Sequence, residues 1–553
     1  MDWYMQASER RSVSRDAADV GTAPLSGEGK ASETPPDQPG SSGGVRPRAR
    51  RAWEALAWAA GAAGLLLVLL RVSMTVSPPA DAASIALQAK DMLHGNVLLH
   101  GWLTGDVTFY TFELPLFALV EAFLGAGIAA VHAAMAVVDL IVAACATAVA
   151  VTGSRGIARA GRAAVVIAVS FAPAIVPEDR YLSIGLPDHT GTTVFLLLGC
   201  LLVERALGWR WMAPLLCLLL CAGQVGDVTV RYVYVPAIAL VYALAVARTR
   251  RLRSADTAIV AAAVGSVPLS LAVRAVLLHL GAYQMVAPST AIAPVSSWAH
   301  NAAQTWQGLR FVFGAQSPGG VSVGEALFGW ACLLAAAVGF GWTLWRWRTA
   351  QRVDQVLVVA IAVNLGVYAI STIALRPTPQ ELTGVPVLGA VLVARTLMPA
   401  SIPLRGVAAL AAPVFAAALV PLCLVATQPP AVPYRQSLST WLQAQGLRHG
   451  LAMYVDAPQV NLMTNGEVQL RTVIAADGKI NPFEWETKNS WFNPADNYAN
   501  FVACVRSIPV FSRTAEGVFG RPASIRYVDG WEILIYHRNL IGEVSPVVLP
   551  ATQ

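Results

Sequence analysis

Apolar stretches close to the length of a bilayer crossing, separated by short polar ones, fill most of this chain between residues 52 and 427. A helix needs about 20 such residues to cross the hydrocarbon, and inside lipid the backbone must satisfy its own polar groups. We read spans near 52–76, 126–152, 161–177, 191–207, 211–224, 230–248, 257–280, 323–346, 355–375, 383–398 and 404–427. That makes about eleven crossings by the length rule. The stretch 113–125 reads as a further short helix at the interface or dipping into it.

Loop charge tests this register. With the N-terminus inside, the inner loops hold Arg155, Arg159 and Arg162; Arg205 and Arg210; Arg248, Arg250, Arg251 and Arg253; Arg346, Arg348 and Arg352; and Arg395 and Arg405. The outer loops hold Lys90, Arg180, Arg231, Arg310 and Arg376. Cytoplasmic loops carry the excess of basic residues, and here every inner loop has at least two. A wrong span count would break that alternation. The reading is a multi-pass protein of the inner (plasma) membrane, with its N-terminus cytoplasmic and its C-terminal part outside.

Only 13% of the residues are charged, against about a quarter in an ordinary soluble domain. This excludes a soluble enzyme and a disordered chain. It also excludes a nucleic-acid-binding protein, although the isoelectric point is near 9.0, because loop asymmetry accounts for the net charge of +6. Six cysteines (Cys145, Cys200, Cys217, Cys221, Cys332 and Cys423) lie in apolar runs, and Cys504 alone lies in a polar segment. No disulfide framework and no CxxC metal pattern follows.

Three parts emerge. Residues 1–50 are rich in Ser, Gly, Pro, Asp and Arg and end in Arg46, Arg48 and Arg50. Such a segment cannot bury enough apolar surface to fold and reads as a solvated cytoplasmic tail. The late start of the first apolar run argues against a cleaved signal peptide. Residues 51–430 form the membrane part. In 431–553 the apolar runs shorten and charges return. Leu438, Trp441 and Leu442 mark a helical face, Val468 and Leu470 alternate with polar neighbours, and "NFVACV" and "WEILIY" read as strands. The expected fold is mainly α: a polytopic transmembrane helical bundle with a small C-terminal extracytoplasmic α/β domain.

The outer face carries the unusual chemistry. The first outside loop, 77–112, holds Asp81, Asp91, His94, Asn96, His100, Trp102, Asp106 and Tyr110, with Glu113 just beyond. Charges near hydrocarbon are costly and mark pairing or function. Asp81 follows Pro78 and Pro79 where a helix would start, so it reads as an N-cap carboxylate or as a catalytic one. A second outside loop holds Glu178, Asp179, Arg180, Asp188 and His189, and a third holds Asp227 and Arg231. Four residues apart on a helix would make Asp227 and Arg231 a plain ion pair. Arg71 and Arg274 lie within spans, in their outer parts. Five guanidinium groups near the outer leaflet (Arg71, Arg180, Arg231, Arg274 and Arg376) can snorkel, or can pair bidentately with a phosphate. The aromatics of "NPFEWETKNSWF" read as core of the outer domain or as a surface for sugar rings.

One outside loop with an Asp soon after the first span, about ten further spans, and an outer α/β domain make a recognisable layout. The chain resembles the class C polytopic membrane glycosyltransferases. It is similar in plan to bacterial protein mannosyltransferases and aminoarabinose transferases. The resemblance rests on "DAASIALQAKDMLHGN" and "FYTFELPLFALVEAFLG", on "GVPVLGAVLVAR", and on the tail elements "WLQAQGLRHGLAMY", "WETKNSWF" and "FGRPASIRYVDGWEILIY".

The resemblance implies a sugar donor on a polyprenyl phosphate in the outer leaflet and an acceptor in the cell envelope, whether glycan, lipid or protein. The transfer is inverting, with Asp81 as general base and Asp91 in reserve. The donor phosphate falls to Arg231, Arg274, Arg180, Arg71 and Arg376. His94, His100, Trp102, Asp106, Tyr110, Glu113, Asp188, His189 and Asp227 line the cavity or the acceptor path. No cofactor is required by this scheme, and the acidic groups leave a divalent metal open. A secondary transporter would show two related halves and broken helices at the midplane, and an envelope assembly scaffold would tolerate loss of Asp81.

Overall fold

The computed structural model describes residues 47–544 apart from 106, 178, 186–188, 205–208, 253, 287–290, 317–320, 376–378, 399 and 401–418. Asp106, Asp188 and Arg376 lie outside the described residues, as do nearly all of the tail and most of the expected span at 404–427.

Six described helices are long and apolar enough to cross a membrane: α1 (Pro47–Ser73), α4 (Ile128–Val151), α9 (Val235–Thr249, extended by a turn from Val230), α10 (Ala255–His279), α12 (Val323–Trp345) and α13 (Arg352–Ile370). Their positions coincide with expected spans. The other expected spans are shorter helices: α5 (Ile157–Ser170) with α6 (Ala172–Ile175), α7 (Thr193–Glu204), α8 (Trp209–Gly226) and α14 (Gly384–Thr396). Among the described residues the expected spans thus resolve into six full-length helices and several short ones. A short apolar helix surrounded by protein does not have to match the hydrocarbon thickness. In α14 nearly every residue from Val385 to Ala394 is buried. Leu357, Leu388, Leu392 and Leu196 are in the same core.

Arg395 at the end of α14 bonds Glu204 Oε1 at 2.7 Å and Asp354 Oδ1 at 2.5 Å. This ion cluster ties α7, α13 and α14 together.

Helices α2 (Ala80–Leu93) and α3 (Glu113–Leu124) pack against α4 through Ile85, Ala89, Leu114, Phe117 and Met135. Helix α11 (Trp298–Val312) runs beside α13. A six-stranded sheet follows, in the order β5 (Lys479–Pro482), β4 (Gln469–Ala476), β3 (His449–Ala452), β7 (Phe501–Val505), β9 (Trp531–Ile535), β8 (Ser524–Val528). Strands β4, β3 and β7 are parallel and the rest antiparallel. Helices α15 (Gln436–Ala444), α16 (Ala457–Met463) and α17 (Pro509–Phe519) cover it. "NFVACV" and "WEILIY" are its adjacent strands β7 and β9. A second, small sheet joins β1 (Trp102–Thr104) of the first outside loop to β2 (Gln284–Met285) and to β6 (Thr487–Lys488) of the C-terminal part. From Trp58 onward the helical and C-terminal parts form one compact unit.

Candidate functional site

Asp81 is not a helix cap. Pro79 occupies the cap position of α2, and the Asp81 carboxylate, in the first turn, accepts from the C-terminal part instead. The Tyr454 hydroxyl lies 2.7 Å from Asp81 Oδ1 and 2.5 Å from Glu486 Oε2. A phenol has one O–H to donate. With both carboxylates ionised, one of these approaches would set two acceptors against each other. The single O–H thus serves one carboxylate at a time, and both approaches are satisfied only when the Asp81–Glu486 pair carries a proton. Burial raises the Asp81 carboxyl above its usual value, and this outweighs the bonds from Tyr454 and its own backbone. Burial and the two carboxylates push the Tyr454 phenol well up. Glu486 sits at φ 48°, a left-handed conformation uncommon for a residue of this size and characteristic of constrained sites.

Asp91, at the other end of α2, has a different environment. Its Oδ2 accepts from Asn96 at 2.6 Å and Trp102 Nε1 at 2.9 Å, and pairs with Lys488 Nζ at 2.8 Å. Burial alone would raise its carboxyl, but the Lys488, Trp102 and Asn96 bonds outweigh burial and lower it. His94 and His100 are exposed and bond backbone, at Lys90 O and Gly281 O. Tyr110 donates to Val97 O and packs on Tyr283 with ring centroids 5.1 Å apart. Asp91, Trp102 and the two histidines thus fasten the loop between α1 and α3.

A third cluster forms around His189. Its Nδ1 lies 2.7 Å from Asp227 Oδ2 and its Nε2 lies 3.0 Å from Glu381 Oε2. Asp227 also accepts from Thr192 Oγ1 at 2.5 Å and from the Thr229 amide at 2.7 Å. Burial would lower the imidazole, but the Asp227 and Glu381 charges outweigh it and hold His189 well above its usual value. Asp227 is correspondingly lowered in spite of burial. Glu113, buried in the first turn of α3, lies against Gly191, where an added Cβ would strike it.

The expected Asp227–Arg231 ion pair gives way to other partners. Residues 230–234 form a π-helical turn, which breaks the i,i+4 spacing that would align the pair. Arg231 donates to Gln224 Oε1 and Ser270 Oγ, each at 3.4 Å. Arg274 reaches across from α10 to the backbone carbonyl of Gln224 at 2.5 Å, while its Nε is buried with no partner. Two guanidinium groups from different helices thus meet at Gln224. Arg180 does not join them. It donates to Ala174 O, Ile175 O, Thr75 Oγ1 and Gln428 Oε1, so it braces the C-terminal end of α1. Arg71 is exposed and donates to Ala426 O.

The first outside loop connects the clusters. An added Cβ on Gly105 would collide with the Trp485 indole, next to Glu486. Val107 bridges to Asp227, and the Thr108 hydroxyl and amide donate to Val225 O and Gly226 O. Gly105 and Val107 are at most about 7 Å apart along the chain. Trp491 packs edge-on against Trp102 at 5.5 Å and so seats the C-terminal part on the loop, while Phe483 packs against Tyr454 at 5.1 Å within that part. Tyr454, Glu486, Glu381, Lys488 and Gln224 escaped the sequence reading, since each acquires its role from a partner distant in the chain. Among the described residues no group of three His, Cys, Asp or Glu is arranged to hold a metal ion.

No protein-family model and no curated protein matches the chain. Among solved structures it is similar to ArnT from Cupriavidus metallidurans, crystallised bound to undecaprenyl phosphate. The identity is 12% over 89% of this chain and 100% of that one, with a TM-score of 0.47. The likeness is one of chain path and bears on none of the residues above.

Proposed function

We propose that the chain is a membrane glycosyltransferase that moves a hexosyl or pentosyl group from a polyprenyl-phosphate donor to a hydroxyl of an envelope acceptor. The observation that carries this reading is the loop from Gly105 to Thr108, which has a proton-holding acid cluster at one end and a guanidinium pair at the other. Asp81 takes the proton of the acceptor hydroxyl. The acceptor oxygen bonds to the anomeric carbon as the bond to the phosphate oxygen breaks on the opposite face. That oxygen keeps the electron pair, and the anomeric centre inverts. Arg231 and Arg274 offset the charge that builds on the departing phosphate, and the outer leaflet holds the lipid tail. Tyr454 and Glu486 orient Asp81 and keep the pair of carboxyls singly protonated.

A positioned base contributes roughly 10²–10⁴-fold. Asp81→Asn, assayed in membranes with labelled polyprenyl-phosphate sugars, should lose transfer by about that factor at normal expression. Transfer at the wild-type rate would reject the base.

A further inference from the structure

The outer sheet contains a crevice of its own. The chain leaves β3, passes through α16 and returns as β4 on one side, while β7 pairs with β3 on the other. In open sheets ligands settle beyond the carboxyl ends of parallel strands at such a switch point. A cavity of about 270 Å³ lies there. Its walls are residues 453–455 just past β3, 473–475 of β4, and Ile508, Val510 and Phe511 at the start of α17, with Phe483 beside them. Every lining side chain except Tyr454 is apolar. Val455, Ile474, Ile508 and Val510 are 40% to 63% exposed, so the described residues leave them uncovered.

We propose that this pocket receives the apolar chain of an amphiphilic acceptor lying in the outer leaflet, and so brings the acceptor hydroxyl to Asp81. The proposal rests on the Asp81 reading and adds the class of acceptor. Three observations support it. The lining offers almost no hydrogen-bond partner, so a sugar ring or peptide buried there would lose its hydrogen bonds to water without replacement, whereas an alkyl or isoprenoid chain would not. The pocket adjoins the end of the first apolar helix: its wall residue Tyr454 bonds Asp81, a short turn past α1. The entry to the outer domain is fastened to the same end of α1, by the Ala431 amide on Met74 O at 2.8 Å and the Tyr434 amide on Ser77 Oγ at 3.2 Å. Finally, the guanidinium pair assigned to the donor lies at the far end of the Gly105–Thr108 loop, which leaves this side to the acceptor.

The test uses the full-length protein in lipid nanodiscs without donor, and decyl glucoside carrying a diazirine on its chain, below its critical micelle concentration. Light should place the label in peptides containing 453–455, 473–475 or 508–511. Unlabelled decyl glucoside should compete, and glucose should not. Ala475→Trp fills the cavity and should cut labelling at least tenfold. Val510→Asn, at the exposed rim, should also cut it and guards against a folding defect in the first variant. Label elsewhere, label unchanged in both variants, or competition by glucose overturns the pocket. Competition by undecaprenyl phosphate overturns its assignment to the acceptor. Asp81→Asn should label like the wild type. If it labels and also still transfers, the base reading falls while the pocket stands.

Discussion

The Tyr454 hydroxyl lies 2.7 Å from Asp81 Oδ1, across 373 residues of sequence. The bond joins the first turn after the first span to the loop following the central strand of the outer sheet. A C-terminal part that only covered the membrane part would not need to place a phenol, itself bound to a second carboxylate, against Asp81.

Removing that hydroxyl should change how activity depends on pH. The Tyr454 bond favours the ionised form of Asp81, against the burial that raises its carboxyl. Without the bond the carboxyl rises further. A base works only when ionised, so activity falls as pH drops through its pKa. Tyr454→Phe should therefore move the acid limb of the kcat/KM profile to higher pH, with little change in expression. A profile superimposable on the wild type would remove Tyr454 from the site.

His189 should govern a pH window of stability. Its folded pKa is raised well above the unfolded value, which is near 6.5. It therefore stabilises fully below about 6.5, and that contribution is lost as pH climbs through the raised value. The lowered Asp227 contributes above about 3.9, and its share is lost as pH falls through the depressed value. Thermal unfolding of the purified protein should thus peak at mildly acidic to neutral pH. His189→Gln leaves Asp227 and Glu381 facing each other without a cation and should cost about 3–5 kcal/mol, with the alkaline decline abolished. Unchanged melting across the series would contradict the pairing.

For the guanidinium pair the expected effect is on affinity. Hydrogen bonds to charged groups contribute about 1.5–3 kcal/mol. Arg274→Ala and Arg231→Ala should each weaken binding of undecaprenyl phosphate by roughly tenfold or more, with smaller effects on melting. Titration calorimetry in nanodiscs measures both variants against the wild type. Equal donor affinity would take these residues out of the phosphate site.

Asp91 should behave as a structural acid. Asn96, Trp102 and Lys488 already occupy its Oδ2. Asp91→Asn should retain most of the transfer activity while losing about 1–3 kcal/mol of stability, read by chemical denaturation alongside the activity assay. An activity loss equal to that of Asp81→Asn would return Asp91 to the chemistry.

The sequence alone determined the membrane architecture, because hydrocarbon imposes length and apolarity on each crossing helix and charge asymmetry fixes the register locally. Spans such as 257–280 and 323–346 could be read directly, and so could the return of charge after residue 431. Short helices such as α14 were legible as apolar but not as short, since burial by neighbours relaxes the length rule. Asp81 and Asp91 look alike in the chain, ten residues apart on one helix. Only the tertiary structure separated them, by giving Asp81 a phenol shared with Glu486 and Asp91 an ammonium from Lys488. An acid's chemistry is set by the few ångströms of dielectric and charge around it, and in this protein the deciding partners, Tyr454, Glu486 and Lys488, come from loops and a short strand some 400 residues away in the chain.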